Sequence, residues 1–245
     1  MACCGGFLSR LGARESLLFL VLAGAGSAQA QGLGAVPTEA AILARVEQAR
    51  ADNRANLRPY TVKRTYRLFG QENQIAKSEV IANVTFVPPD VKQYAIQHAN
   101  GTGLGEKIVR QMLEHEMDVA KNYAATEISR ANYDFRFIGE EDVGGERSYV
   151  LDLLPRRNDN NLLRGKIWVD TTTFLLHRTE GQPAKASSWW LRDVRIALAY
   201  GYVGGMWLQT SSVSTANVRL LGQHTMVSRD LEYEFSELSA LRGTR

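Results

Sequence analysis

Glu114-His115-Glu116 is the first run in this chain that invites a metal or an acid–base reading. It falls on a helical stretch, but no second histidine follows at the fourth position, the spacing that puts two imidazoles on one helix face for zinc. His98, His177 and His224 fall in three separate extended stretches, at none of the close spacings that metal ligands adopt. His177 and Glu180 share a strand three positions apart, so they face opposite sides and cannot orient one another. No G-x-S-x-G elbow raises a serine, and Ser187-Ser188 and Ser211-Ser212 fall where strand ends belong. Glu140-Glu141-Asp142 sits at a hairpin, where solvated charge is the default. Gly201-Tyr202-Val203-Gly204-Gly205 has the glycines of a phosphate loop but joins two strands, with no helix N-terminus to receive a phosphate. These residues assemble no catalytic centre, and neither a metal nor a cofactor is expected.

The aromatic residues carry more information. Trp189 and Trp190 are adjacent in an extended stretch, and parity places Trp190 with the apolar set. Tyr66, Phe86, Phe135, Phe137 and Trp190 can share one concave surface. Two readings fit them: they fill a core beneath helices, or they line a cavity that a wide sheet with two covering helices leaves open. On the cavity reading the ligand-binding set is Tyr66, Phe86, Ile108, Met112, Phe135, Phe137, Leu151, Leu153, Trp190, Val194, Ile196 and Tyr233. Arg64 and Arg192 share the parity of apolar neighbours, which puts them at the mouth of such a cavity or, through a bulge, in solvent.

The elements that must position these residues are read from periodicity. Pro37-Thr38 opens a helix with Thr38 as N-cap, its apolar stripe running through Ile42, Leu43, Val46, Ala49 and Leu57 until Pro59 stops it. Strands follow at Tyr60 to Phe69, Lys77 to Val87 and Val91 to His98, the last two joined by Pro88-Pro89-Asp90. Asn100-Gly101-Thr102-Gly103 turns the chain into a second helix, Leu104 to about Tyr123, with Ile108, Val109, Met112, Leu113 and Val119 on its apolar side. Strands resume at Tyr133, turn at Gly144-Gly145 and continue as a meander of about seven. In it Val194, Ile196, Leu198 and Tyr200 share one parity, and Leu231, Tyr233 and Phe235 another. The order predicts an α+β fold: a curved antiparallel sheet, a half-barrel of about ten strands, with its concave face covered by helices.

Composition sets the remaining bounds. Arg10 and Arg14 precede the apolar run Leu17 to Gly26, and Ala28-Gln29-Ala30 supplies small residues for cleavage, so residues 1–30 read as a secretory signal cleaved after Ala30. Both cysteines, Cys3 and Cys4, leave with it. The segment also removes a net +1 of the chain's +3, and a nearly balanced remainder lacks the basic stripe of a nucleic-acid binder. No linker divides residues 31–245, which are expected to form a single domain, monomeric and periplasmic.

The stretches LLRGKIWVDTTTFLLHRTEG, SSWWLRDV and YGYVGGMWLQTS, within the order of helix, three strands, helix and meander, resemble the LolA/LolB-like superfamily. More specifically, they resemble outer-membrane lipoprotein-sorting proteins. It implies a non-enzymatic binder or carrier of lipid or lipoprotein acyl chains in an apolar cavity, with an inner-membrane exporter as a partner that would load it. Two other activities fit the same fold, a periplasmic regulator binding a protein partner and a hydrolase. The chain departs from the lipoprotein carrier at Pro88, where the carrier has an arginine linked to holding its lid closed.

Overall fold

The computed structural model describes residues 37–71, 74–101, 103–186 and 191–235. Helix α1 (Glu39–Ala55) begins where expected, because the Thr38 hydroxyl accepts the Ala41 amide at 3.3 Å and Glu39 lies in the first turn, where the helix dipole favours negative charge. Pro59, with no amide hydrogen, keeps the helix from running on into β1 (Tyr60–Phe69). Strands β2 (Ala76–Val87) and β3 (Val91–Gly101) follow. Helix α2 (Gly103–Lys121) and the short α3 (Tyr123–Thr126) then interrupt the strands. The second helical stretch breaks at Asn122, whose side chain bonds the carbonyl of Asp118 at 3.0 Å, so it ends before Tyr123 and a separate turn takes over. Asn100 and Gly101, expected in a turn, extend β3 and pair with Glu79 and Ser78.

The meander comprises β4 (Tyr133–Val143), β5 (Glu146–Pro155), β6 (Leu163–Asp170), β7 (Leu176–Pro183), β8 (Leu191–Val203), β9 (Met206–Val218) and β10 (Gly222–Phe235). All ten strands join one sheet in the order β3-β2-β1-β10-β9-β8-β7-β6-β5-β4, each neighbouring pair antiparallel. The last strand returns to pair with the first, so the opening three strands extend the seven-strand meander. β3 and β4 remain edges, and the sheet is curved and unclosed. No described helix is long and apolar enough to cross a membrane.

Strand alternation sends one row of side chains inward, and two helices cover it at two separate places. Ile42, Leu43 and Val46 of α1 pack on Tyr133, Tyr149, Leu151, Leu153, Leu162, Ile167, Val169 and Phe174. Val109 and Leu113 of α2 pack on Val62, Tyr66, Leu68, Val80, Ala82, Val84 and Met226. Each fully buried aliphatic side chain contributes about 1.5–3 kcal/mol relative to exposure, so each helix is held by its own wing of the sheet.

One expected alternation fails at β10. Lys63 faces Glu232 but Arg64 faces Asp230, so Leu231 is the extra residue of a bulge and is 56% exposed, while Tyr233 returns inward. The bulge does not release Arg64 to solvent. Arg64 stays inside at 6% exposure, whereas Arg192, beside a second irregularity in β8, is exposed.

Candidate functional site on the concave face

The register lays out the concave face one row at a time. Across all but the outermost strand, one row reads Phe137, Leu151, Ile167, Thr179, Leu198, Ser212, Ser228, Tyr66 and Val80. The next reads Phe135, Leu153, Gly165, Gly181, Ile196, Ser214, Met226 and Leu68. Both rows are bulky and apolar at their ends and small in the middle. Gly165 and Gly181 face each other because β6 and β7 approach closely; a β-carbon on Gly181 would lie 2.6 Å from the carbonyl oxygen of Arg164. Between the wings the floor is therefore made of Thr179, Ser212, Ser214 and Ser228 around the half-buried Ile196 and Leu198, which belong to neither core cluster.

The hydroxyls of this floor bond one another. Ser212 and Ser228 lie 2.8 Å apart through their Oγ atoms, and Thr179 lies 3.4 Å from the Tyr200 hydroxyl. The buried Tyr66 hydroxyl makes no hydrogen bond of ordinary geometry among the described residues. Among the described residues none of these hydroxyls is bonded to a histidine, and the floor is a polar stripe between apolar walls.

A charged cluster borders the α2 wing. Arg64 donates from Nε and Nη2 to both oxygens of Asp230, and from Nη1 to both oxygens of Glu116 at 3.2 and 3.1 Å. Lys92 adds a bond to Glu116 at 3.0 Å, and the Tyr233 hydroxyl donates to Asp230. Two cations and two carboxylates from β1, β3, β10 and α2 thus balance. Burial opposes ionisation of Glu116, but Lys92 and Arg64 together hold its pKa below the ordinary value of 4.5. Burial pushes the phenol of the neighbouring Tyr60 up to about 12, against the opposing pull of Arg64.

The residues expected to line a cavity are divided between the wings. Tyr66, Ile108, Met112 and Tyr233 belong to the α2 wing, and Phe86 packs beside it with its ring 5.5 Å from that of Tyr60. Phe135, Phe137, Leu151 and Leu153 belong to the α1 wing. Val194 and Ile196 lie on β8 between the two, half-buried. Trp190 lies outside the described residues. Asp230 and Glu116 were not marked by sequence reasoning as partners of Arg64; the only signal was that Arg64 shared an apolar parity. A recess of about 490 Å³ lies mostly on the opposite parity, beside Lys166, Glu180, Arg195, Ala197 and Val213, and also touches Ile196 and the paired Gly165 and Gly181. Its charged walls suit an acyl chain poorly.

No protein-family model matches the chain, and no curated protein matches it. Among solved structures, it is similar to a domain described as outer-membrane lipoprotein-sorting from Vibrio parahaemolyticus, at 12% identity over 79% of this chain and 92% of that one, with a TM-score of 0.42. It is also similar to a LolA superfamily protein from Nitrosomonas europaea, at 14% identity, covering 86% of this chain and 99% of that one, with a TM-score of 0.38. A DUF1329 family protein from Desulfovibrio piger shares 16% identity over 82% and 98% of the two chains, with a TM-score of 0.39.

Proposed function

We propose that this protein is a non-enzymatic periplasmic binder of lipid or lipoprotein acyl chains, exported with cleavage after Ala30, and that the chain lies on the floor between the two helices. The observation that carries this reading is the strip formed by Ile196 and Leu198. These aliphatic residues are half-buried on the concave face, belong to neither core cluster, and face only Thr179, Gly181, Ser212 and Ser214 on the adjoining strands, side chains too small to cover them. An acyl chain laid there gains about 0.8 kcal/mol per buried methylene, and a long chain roughly 10 kcal/mol in total, with no catalytic group required. Tyr66, Ile108, Met112 and Tyr233 form one wall of this site, and Phe135, Phe137, Leu151 and Leu153 the other.

The test is native mass spectrometry of protein purified from a bacterial periplasm. Wild type is expected to carry lipid of acyl-chain mass, and Leu198→Glu to lose it while keeping an unchanged melting transition. A lipid-free wild type carrying a bound protein instead, or a Leu198→Glu protein as lipid-loaded as wild type, would overturn the reading.

A further inference from the structure

At the rim of the sheet, three strand ends bring together donor atoms that lie far apart in the chain. Glu146 opens β5, Asp170 closes β6 and His177 is the second residue of β7. Each contributes one ligand-type atom, and these atoms lie within 4.8 Å of one another. The register accounts for the meeting, since Ser148 of β5 sits opposite Asp170 and the short turn after Asp170 returns the chain to His177.

Asp170 and His177 are held in place. Asp170 accepts the amides of Thr172 and Thr173 through Oδ1 alone, at 3.0 and 2.5 Å, and a carboxylate retains further lone pairs beyond those two bonds. Nδ1 of His177 lies 3.2 Å from the hydroxyl of Ser148, which is fully buried, and Nε2 lies 2.8 Å from Glu146 Oε2. The imidazole also stacks on Trp207 at 5.6 Å. That indole donates to the carbonyl of Leu176 at 2.7 Å, and Asn53 of α1 grips the Trp207 backbone through both its amide and its carbonyl. At 2.8 Å Nε2 donates to the Glu146 carboxylate, and Nδ1 then accepts from the Ser148 hydroxyl. An ion placed between Nε2 and Glu146 would replace that proton, and Ser148 would then accept Nδ1–H, as the outer partners of metal-ligating histidines do.

We propose that Glu146, Asp170 and His177 form a site for one divalent first-row transition ion, of which zinc matches the donors best. One imidazole nitrogen with two carboxylate oxygens suits zinc, whereas magnesium and calcium favour oxygen alone. The Glu146 side chain is 65% exposed, so the ion reaches the site from solvent and water completes its coordination. The same atoms could instead make a plain ion pair between Glu146 and a protonated His177. That pair would also draw on the Asp170 carboxylate, which caps the turn amides in either case, so uptake of zinc distinguishes the two.

The test strips the full chain with chelator, then titrates it with zinc alone against a chromophoric competitor and with cobalt for its visible absorption. One ion per chain is expected at micromolar zinc, with no displacement by millimolar magnesium. His177→Gln and Glu146→Gln should each weaken binding at least 10-fold, and Ser148→Ala should weaken it about 10–100-fold by freeing the ring. Glu146 is exposed, so its variant keeps the fold even if Asp170→Asn does not. Failure to bind at micromolar zinc, displacement by magnesium, or binding indifferent to His177→Gln and Glu146→Gln would each overturn the proposal.

Discussion

Arg64 is the residue on which the α2 wing turns. Its side chain and that of Asp230 are 7% and 3% exposed, so each relies on the other to offset the loss of water. Replacing Arg64 by Met leaves Asp230 buried and uncompensated, a loss of about 3–5 kcal/mol by urea denaturation. Adding Asp230→Leu should recover most of that loss, since the charge then left in the cluster is Glu116, still paired with Lys92; failure to recover would show that Arg64 acts mainly through Glu116. Glu116 carries its own signature in pH. Its native pKa is depressed, so its contribution is complete above the ordinary value of 4.5 and fades as the pH falls through the lower native value. Melting temperature should therefore drop on acidification from the ordinary value of 4.5 down through the lower native value, and drop less steeply in Glu116→Gln. Parallel curves for the two proteins would show that the ion pairs to α2 do not contribute.

At the scale of elements, α2 depends on a close approach as much as on its apolar stripe. Gly105 is buried over β2, and a β-carbon there would collide with the side chain of Ser78. In an isolated helix, alanine would gain about 1 kcal/mol over glycine. Docked on β2, the collision must outweigh that gain, so Gly105→Ala is expected to lower the melting temperature. A rise would mean that α2 can lift from the sheet at little cost. Helix α1 is tied differently, by Ile42, Leu43 and Val46 beneath it and by Asn53 clasping Trp207 at its far end. The two helices are thus anchored by separate contacts and are free to respond separately.

For the whole molecule, this separation matters more than either wing. The sheet is continuous, but its core is two clusters joined by a floor of small and hydroxylated residues. A helix that opens locally does so below the cost of global unfolding. In lipid-free protein, the amides of α2 are expected to exchange faster than those of β8, and added lipid should slow them. Equal exchange in helix and strand, indifferent to lipid, would mean that α2 is permanently docked and the floor receives no chain.

Local physics made much of this legible in the amino-acid sequence. A two-residue period marks a strand's inner face wherever that strand lies, and Thr38 caps α1 through a bond to the amide three residues on. Hence the ten strands, the two main helices, and the inward placement of Tyr66, Leu151 and Leu153 follow from sequence pattern. What depended on partners did not. The bulge that expels Leu231 exists only because β10 pairs with β1 across most of the chain's length. Arg64 was identifiable as inward-facing, but Glu116, Asp230 and Lys92 come from three other elements, and no spacing announces their meeting. The same holds for His177, which faces away from Glu180 in its own strand as parity demands. It meets Glu146 and Asp170 through the turns and register of the neighbouring strands, because sheet pairing joins residues by position across strands and not by distance along the chain.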